Sequence, residues 1–168
     1  MNRFVKGNSN TCIGCRTCMV GCVVSHEGIE FFRKPPGQTV FNPRLDVVKT
    51  RTISIAVQCK HCENAACLNA CVTKAITKVD GAMIINPDRC LGCKTCVLAC
   101  PYGAVTMAKA GDGRLIANKC DLCAGKAEQE CVKVCLTNSL KLVTEEGMSE
   151  SVGEKRLKSA VALSQDAN

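Results

Sequence analysis

Sixteen cysteines, arranged in four groups of four, constrain this 168-residue chain more than any other feature. Each group opens with the spacing C-x2-C and closes with C-x3-C, and only the middle spacing differs. The groups are group 1 (Cys12, Cys15, Cys18, Cys22), group 2 (Cys59, Cys62, Cys67, Cys71), group 3 (Cys90, Cys93, Cys96, Cys100) and group 4 (Cys120, Cys123, Cys131, Cys135). No cysteine is left over, so a function has to explain all four groups.

The groups repeat in two pairs, which indicates that the chain contains duplicated units. Groups 1 and 3 lie in the similar segments CIGCRTCMVGC, from Cys12, and CLGCKTCVLAC, from Cys90. Groups 2 and 4 share the segments that follow them, CVTKAITKV from Cys71 and CLTNSLKLV from Cys135. Repetition of this kind predicts structural units that stack on one another.

The remaining composition excludes several classes of protein. Only 3% of the residues are aromatic and none is Trp, so an ordinary aromatic-rich core is not expected. The N-terminal segment lacks the apolar region of a secretion signal, and no apolar run reaches the ~18 residues that span a membrane. We therefore expect a cytoplasmic protein without membrane insertion, in which dense cysteine indicates metal binding rather than disulfides.

Three cysteines within a few residues, as in Cys90, Cys93 and Cys96, curl the chain around one object that accepts several thiolates. An iron–sulfur cubane presents several iron corners to one loop, and C-x2-C-x2-C-x3-C-P is the bacterial ferredoxin pattern. Gly14 and Gly92 lie in the first gap of their groups, where glycine permits positive φ. A structural zinc site, the main alternative, usually pairs two C-x2-C elements about 15–20 residues apart.

Short apolar runs predict the secondary structure around the cysteine groups. A hairpin is expected at 75–86, with Asp80-Gly81 as its tight turn. A second hairpin is expected from strands at 105–108 and 114–117, with glycines in the turn. The stretch that ends each group should be a short helix, for example at 95–100 and 128–135.

Two segments carry no cysteine. Residues 23–58 form an insert that covers or connects the halves, with a loop at 35–37 and a strand at 51–57. The tail, residues 144–168, should contain a helix near 152–164, with Ser151 and Glu154 as a capping box. This helix is either a solvated terminal element or a docking element for a partner or a second copy of the chain.

The cysteine region as a whole resembles a known family. The resemblance depends on the start MNRF and on the segments CIGCRTCMVGCVVSH, CKHCENAAC, CLGCKTCVLACPYGA and NKCDLC. Residues 12–143 resemble the four-cluster ferredoxin-type electron-transfer subunits that accompany molybdenum or tungsten oxidoreductases, and in particular the HydN- and HycB-like proteins associated with formate dehydrogenase and hydrogenase. These segments are specific for the cofactor and far less specific for the enzyme served.

The resemblance implies that the sixteen cysteines hold four 4Fe-4S clusters by crossed ligation, so that one group supplies three ligands and another supplies the fourth. The implied sites are site 1 (Cys12, Cys15, Cys18, Cys135), site 2 (Cys59, Cys62, Cys67, Cys100), site 3 (Cys90, Cys93, Cys96, Cys71) and site 4 (Cys120, Cys123, Cys131, Cys22). Only Cys100 is followed by proline, whereas Val23, Val72 and Leu136 occupy the matching places. The local turn is less constrained there, but no ligand is lost.

The implied fold is α+β, with two ferredoxin-like modules related by a pseudo-twofold in a domain over residues 1–143. Module A contains the groups at 59–71 and 90–100, and module B contains those at 12–22 and 120–135. Because metal–ligand bonds form only in the folded state, cluster binding should be coupled to folding.

The implied function is a non-catalytic electron relay between redox partners. The expected partners are molybdenum or tungsten formate dehydrogenase and/or hydrogenase subunits and other iron–sulfur subunits, with self-association through the tail as a further expectation. The alternatives are a free-standing polyferredoxin, a subunit of another molybdenum oxidoreductase, and a zinc-binding interaction scaffold. Motifs for a nucleotide loop or a zinc protease are missing from the sequence.

Charged and histidine side chains near the cysteines need a separate explanation. The net charge of +7 would ordinarily suggest a nucleic-acid partner. Four oxidised clusters with their thiolates would contribute about −8, so the cations offset the cofactors and no nucleic acid is expected. His61 is a conceivable ligand, but each group already offers four thiolates, which favours a packing role. Lys60, Arg16 and Lys94 either raise a neighbouring cluster's potential or are merely solvated.

Overall fold

The computed structural model describes residues 2–35 and 37–165, which form an α+β fold of short strands and short helices. In this part of the chain, eight strands form four two-stranded antiparallel sheets. The strands are β1 (Phe4–Gly7), β2 (Leu45–Lys49), β3 (Ser54–Gln58), β4 (Ile76–Val79), β5 (Ala82–Ile85), β6 (Thr106–Lys109), β7 (Leu115–Asn118) and β8 (Leu140–Val143). The α-helices are α1 (Thr17–Glu27), α2 (Ala66–Asn69), α3 (Thr95–Ala99), α4 (Glu130–Lys133) and α5 (Glu145–Gln165), and short 3-10 helices cover Ile29–Arg33 and Pro87–Arg89.

The two predicted hairpins are confirmed. β4 pairs with β5, and Asp80 (φ 47°) and Gly81 (φ 79°) both have the positive φ of a tight primed turn. β6 pairs with β7, but both strands begin one residue later than predicted. The ladder starts with Thr106 opposite Asn118, and Val105 lies just before it in the core, at 2% exposure.

The predicted short helices are also present, with different ends. α3 ends one residue before Cys100, and α4 covers only part of the predicted 128–135 because Gln129 has an extended backbone. α1 is longer than a single turn and continues beyond Cys22 into the insert.

The insert forms a hairpin that the sequence analysis only half predicted. The strand expected at 51–57 is β3, which starts later because Thr50 and Ile53 close a turn through a backbone hydrogen bond of 2.8 Å. Its partner β2 was not predicted, and the two strands pair along their whole length. The loop expected at 35–37 includes Pro36, which lies outside the described residues.

The two ends of the described chain meet in one sheet, because β1 pairs with β8 from Phe4 opposite Val143 to Gly7 opposite Leu140. The tail helix α5 starts at Glu145 rather than near 152. The Thr144 hydroxyl accepts a hydrogen bond from the Gly147 amide at 3.3 Å, and two glutamates in the first turn favour this start. The prediction of a Ser151–Glu154 capping box was therefore wrong, since both residues lie inside α5. Residues 166–168 of the tail lie outside the described ranges.

Cysteine side chains make up much of the core. One apolar cluster combines Cys18, Cys22, Cys120 and Cys131 with aliphatic residues of β1, β2, β3 and β8. A second cluster combines Cys67 and Cys96 with residues of β4, β5 and β7. The cysteines of groups 1 and 4 thus pack together, as do those of groups 2 and 3, except that Cys59 packs in the first cluster. Within residues 2–35 and 37–165, no helix is long and apolar enough to cross a membrane.

Candidate iron–sulfur sites

The four C-x2-C loops share one backbone feature. The residue before the second cysteine of each loop has positive φ, and these residues are Gly14 (68°), His61 (48°), Gly92 (67°) and Leu122 (58°). The turn aims amide groups at sulfur, because His61 N–H donates to Cys59 Sγ and Leu122 N–H to Cys120 Sγ, both at 3.4 Å. The positive φ expected at the two glycines is confirmed.

The thiols expected in site 1 surround a common cavity. It is lined by Cys12, Cys15, Cys18 and Cys135, with apolar walls that include Val47 of β2 and Ala56 of β3. The insert therefore supplies part of the floor of this site. The Ser54 hydroxyl also lies 3.6 Å from Cys12 Sγ.

The thiols expected in site 2 likewise surround one cavity. It is lined by Cys59, Cys62, Cys67 and Cys100, and its apolar walls include Ala65, Met83 and Val105. Each of these two cavities thus contains four thiols from two cysteine groups that are distant in sequence.

The thiols expected in sites 3 and 4 also lie close enough to influence one another's pKa. Burial raises the pKa of the Cys96 thiol, and the neighbouring thiolates of Cys90, Cys71 and Cys93 raise it further. Burial also raises the pKa of Cys131, with added repulsion from the thiolates of Cys120, Cys123 and Cys22. The neighbours of each buried thiol therefore include those expected from the crossed pattern. The ligand roles of the sixteen cysteines stay a prediction.

Backbone amides provide the environment that thiolates require. Arg44 N–H donates to Cys22 Sγ at 3.3 Å, Ala75 N–H to Cys71 Sγ at 3.2 Å, and Ala117 N–H to Cys90 Sγ at 3.4 Å. Such hydrogen bonds to sulfur are one of the factors that set the potential of an iron–sulfur cluster. At sites 1 and 2, the cavities lined by four thiols fit 4Fe-4S clusters, because the thiols enclose a space instead of converging on one ion as zinc ligands do.

Hydroxyl groups stabilise thiolates in sites 1 and 3. Thr17 Oγ1 lies 3.4 Å from Cys15 Sγ, and Thr95 Oγ1 lies 3.4 Å from Cys93 Sγ. Each hydroxyl lowers the pKa of its thiol. The role of these threonines was not predicted from the sequence, although the repeated segments CRTC and CKTC place both at the same position.

The fourth thiol expected in site 1 is stabilised in a similar way. Burial would raise the pKa of Cys135, but the Ser139 hydroxyl at 3.5 Å and nearby backbone amides lower it to about 7. A thiolate is therefore available at this position near neutral pH.

Exposure divides the four sites into an outer pair (sites 1 and 3) and an inner pair (sites 2 and 4). Cys15 and Cys93 of the outer pair are exposed. The thiols of the inner pair are buried, except Cys62 and Cys100 of site 2, which are partly buried. The outer sites are also rimmed by exposed apolar side chains, which are Ile13, Val72, Leu91, Leu98 and Leu136. In the inner pair, burial raises the pKa of Cys120 to about 12, so metal binding there has to displace a firmly held proton.

A partly buried ion-pair network attaches the loop of group 4 to α1. Asp121 accepts from His26 Nε2 at 3.1 Å and from the Arg44 guanidinium, and His26 Nδ1 lies 2.8 Å from the Cys22 carbonyl oxygen. Burial alone would raise the pKa of Asp121, but His26 and Arg44 hold it at about 2. His26 is therefore engaged in this network, which positions Cys22 beside group 4.

His61 packs in the interior between cysteines of group 2. Its side chain is 0% exposed, and its Nδ1 accepts a hydrogen bond of 2.9 Å from the Met83 amide. Burial lowers the pKa of His61 to about 3. This arrangement agrees with the packing role expected from the sequence.

Comparison with known proteins relates the chain to iron–sulfur proteins. The family described as 4Fe-4S dicluster domain matches residues 50–145. The electron transport protein HydN of Escherichia coli K12 is 39% identical over 174 residues, which cover 96% of this chain and 99% of HydN. AegA of the same organism, named as an oxidoreductase, is 39% identical over 165 residues, so the chain spans about a quarter of its length. A chain of the BamBC complex of benzoyl coenzyme A reductase is 22% identical at a TM-score of 0.45, with 99% of this chain and 97% of that chain covered.

Proposed function

Because the chain belongs to the 4Fe-4S dicluster domain family, we propose that all four candidate sites bind clusters and form one relay. The chain is a non-catalytic electron-transfer iron–sulfur protein. The proposed order of the sites is site 1, site 4, site 2 and site 3, so that the inner pair lies in the middle. The observation that carries this proposal is the gathering of four thiols from two distant groups around one cavity at site 1 and at site 2. The mutual influence of the thiols in sites 3 and 4 supports the same arrangement there.

Electrostatic influence and shared packing between cysteines of neighbouring sites support the proposed order. The charge of Cys18 in site 1 acts on Cys131 in site 4. Cys59 of site 2 packs in the same apolar cluster as Cys120 of site 4, and its charge acts on Cys120. Cys67 of site 2 and Cys96 of site 3 share the second apolar cluster.

The two-module architecture is part of the same proposal. α1 packs against α4, and α2 packs against α3, so each module contributes one helix pair that carries cysteines of two groups. The similar segments of groups 1 and 3 then hold equivalent outer positions, and groups 2 and 4 hold equivalent inner ones. A pseudo-twofold between modules A (groups 2 and 3) and B (groups 1 and 4) would account for the two helix pairs and for the equivalent positions of the repeated groups.

The residues of the chain prepare each site for electron transfer. Each 4Fe-4S cluster, when bound, can accept and release one electron. The thiolates hold iron, while amide and hydroxyl donors stabilise negative charge on sulfur. Aliphatic residues such as Val47, Ala56 and Met83 keep water from the cavity walls, which strengthens these interactions.

We propose that the outer sites meet the redox partners. Their apolar rims are the most exposed large hydrophobic side chains of the ligand loops, with Leu98 87% and Val72 86% exposed at site 3. Exposed apolar patches of this kind mark interaction surfaces. Molybdenum or tungsten formate dehydrogenase and hydrogenase subunits in the cytoplasm are the proposed partners, as the resemblance of the cysteine segments implies. The similarity to HydN, an electron transport protein, supports a redox partner.

The experiment is purification of the tagged chain from its native host without oxygen, followed by addition of formate. A complex with a molybdenum or tungsten subunit, with clusters that bleach on addition of formate, supports the proposal. Leu98→Glu should abolish the complex and retain the iron. The control Val79→Glu, at an exposed position beside a hairpin turn, should retain both the complex and the iron. A monomer with four clusters and no response to formate would favour a free-standing polyferredoxin.

The tail is a second candidate contact region. α5 projects its apolar residues Val152, Leu157, Val161 and Leu163 into solvent. We propose that this helix docks onto a partner or a second copy of the chain. Deletion of residues 149–168 should leave the iron content unchanged and reduce assembly, and unchanged assembly would overturn this part of the proposal.

A further inference from the structure

Lys119 is a buried cation without a carboxylate partner. Its residue is 3% exposed, and its Nζ donates to the carbonyl oxygens of Met83 at 2.5 Å and Cys120 at 2.7 Å. Among the ion pairs of the described residues, none includes Lys119. A buried charge is costly unless an opposite charge compensates it, so the surroundings of Lys119 should supply negative charge.

The two contacts of Lys119 connect the two inner sites. Met83 lines the cavity of site 2, and Cys120 belongs to site 4. Burial raises the pKa of both Cys67 and Cys120, and the charge of Lys119 partly offsets that rise in each. The ammonium group thus acts electrostatically on thiols of both inner sites.

We propose that Lys119 is the shared counter-charge of the two inner clusters and raises the reduction potential of both. The inference rests on the proposed function, since it requires clusters in sites 2 and 4. A cluster with four thiolates is negatively charged, and reduction adds one more electron. A fixed positive charge in a buried region stabilises the reduced form more than the oxidised form. The reduced form of the two inner clusters, in the middle of the relay, is thereby stabilised.

The outer sites have cations of a different kind. Arg16 and Lys94 follow Cys15 and Cys93, but both side chains are exposed to solvent. Water and salt screen exposed charges strongly. Lys94 is therefore a matched control, because its removal deletes the same charge beside a ligand loop without changing the interior.

The test compares fully loaded Lys119→Met and Lys94→Met proteins in a redox titration followed by electron paramagnetic resonance. In Lys119→Met, the equilibrium constant for reduction should fall about tenfold for two of the four clusters, which equals about 59 mV for one electron. The other two clusters should shift much less, and Lys94→Met should shift none by that amount. Unchanged potentials in Lys119→Met, or equal shifts in both variants, would overturn the inference.

A second measurement applies if Lys119→Met does not assemble. The native chain is labelled with lysine that carries 15N at Nζ and is studied by electron–nuclear double resonance after partial reduction. A 15N coupling that disappears in Lys119→Arg, with potentials retained, supports a lysine next to the inner clusters. Identical spectra in the two proteins would contradict it. Iron analysis separates the two proposals. Fewer than four clusters in the native chain overturns the relay, whereas four clusters with unchanged potentials in Lys119→Met overturn only the role of Lys119.

Discussion

The outer and inner ligand loops have the same backbone turn but different residues at its centre. Gly14 and Gly92 provide the positive φ in the outer loops, whereas His61 and Leu122 adopt it in the inner loops. Positive φ costs a side-chain-bearing residue about 1–2 kcal/mol. The inner loops accept that cost because both side chains are buried, at 0% and 3% exposure, and fill the interior.

The outer loops need glycine for a second reason. A Cβ on Gly92 would lie 2.3 Å from the Leu115 carbonyl oxygen, and one on Gly14 would lie 2.5 Å from Ser54 Oγ. Each outer loop is therefore packed tightly against a strand on one side while it faces solvent on the other. The comparison shows that one ligand turn occurs in two settings, at the solvent-exposed surface in the outer loops and packed in the core in the inner loops.

The largest expected effect comes from replacing one cysteine of an inner site or one cysteine of an outer site, in separate variants. Cys131→Ser should lower the apparent melting temperature by at least about 10 °C, because a buried core group is lost together with its cluster. Cys93→Ser should lower it by about half as much, since the changed side chain faces solvent. Melting and iron content, measured without oxygen, check both. Equal losses of stability would break the distinction between inner and outer sites.

The glycines of the outer loops should give the next largest effect. Gly92→Ala should destabilise the fold by about 3 kcal/mol, from positive φ and the clash with the backbone of β7. Gly103→Ala is the matched control, because Gly103 also has positive φ (60°) but a Cβ there would meet nothing within 4 Å. We expect about 1 kcal/mol for it in denaturant unfolding. A Gly92→Ala protein as stable as Gly103→Ala would contradict the tight packing.

A smaller effect concerns the stability of two Leu122 variants, for which we expect the reverse of the usual order between alanine and glycine. Leu122→Ala should cost about 3 kcal/mol, because it leaves a cavity. Leu122→Gly removes one more carbon but relieves the positive φ, so it should be at least as stable as Leu122→Ala. Denaturant unfolding of the two variants measures the difference, and a clearly less stable Leu122→Gly would show that the inner turn is not strained.

The smallest effect concerns the exposed cations of the outer loops. Ferricyanide, an anion, should oxidise reduced Arg16→Met and Lys94→Met proteins about two- to threefold more slowly than the unchanged chain at low salt. The difference should disappear at high salt because exposed charges are screened. Stopped-flow absorbance measures the rates. A difference that persists at high salt would indicate a structural cause instead.

The local parts of this architecture could be predicted from the sequence, and the long-range parts could not. Cysteine spacing predicted the ligand loops and their positive φ at Gly14 and Gly92, and Asp80-Gly81 predicted a hairpin. The pairing of β1 with β8 joins distant segments that are only four residues long, too short to show a strand pattern.

The inner and outer character of the sites was also hidden in the sequence. It depends on how the modules pack together, and the cysteine spacing does not encode that packing. Lys119 looks like any other lysine in NKCDLC, and only its burial distinguishes it. The predicted start of α5 was wrong because a single side-chain contact, from the Gly147 amide to the Thr144 hydroxyl, marks the true start. The helix itself is weakly hydrophobic, so no apolar pattern indicates where it begins.

Metal and sulfide analysis of the chain, purified without oxygen, tests the central claim most directly. Four 4Fe-4S clusters require about sixteen iron atoms and about sixteen acid-labile sulfides per chain. Full reduction should then yield the spin signals of four separate clusters. About four zinc ions and no sulfide, or iron for two clusters only, would contradict the account.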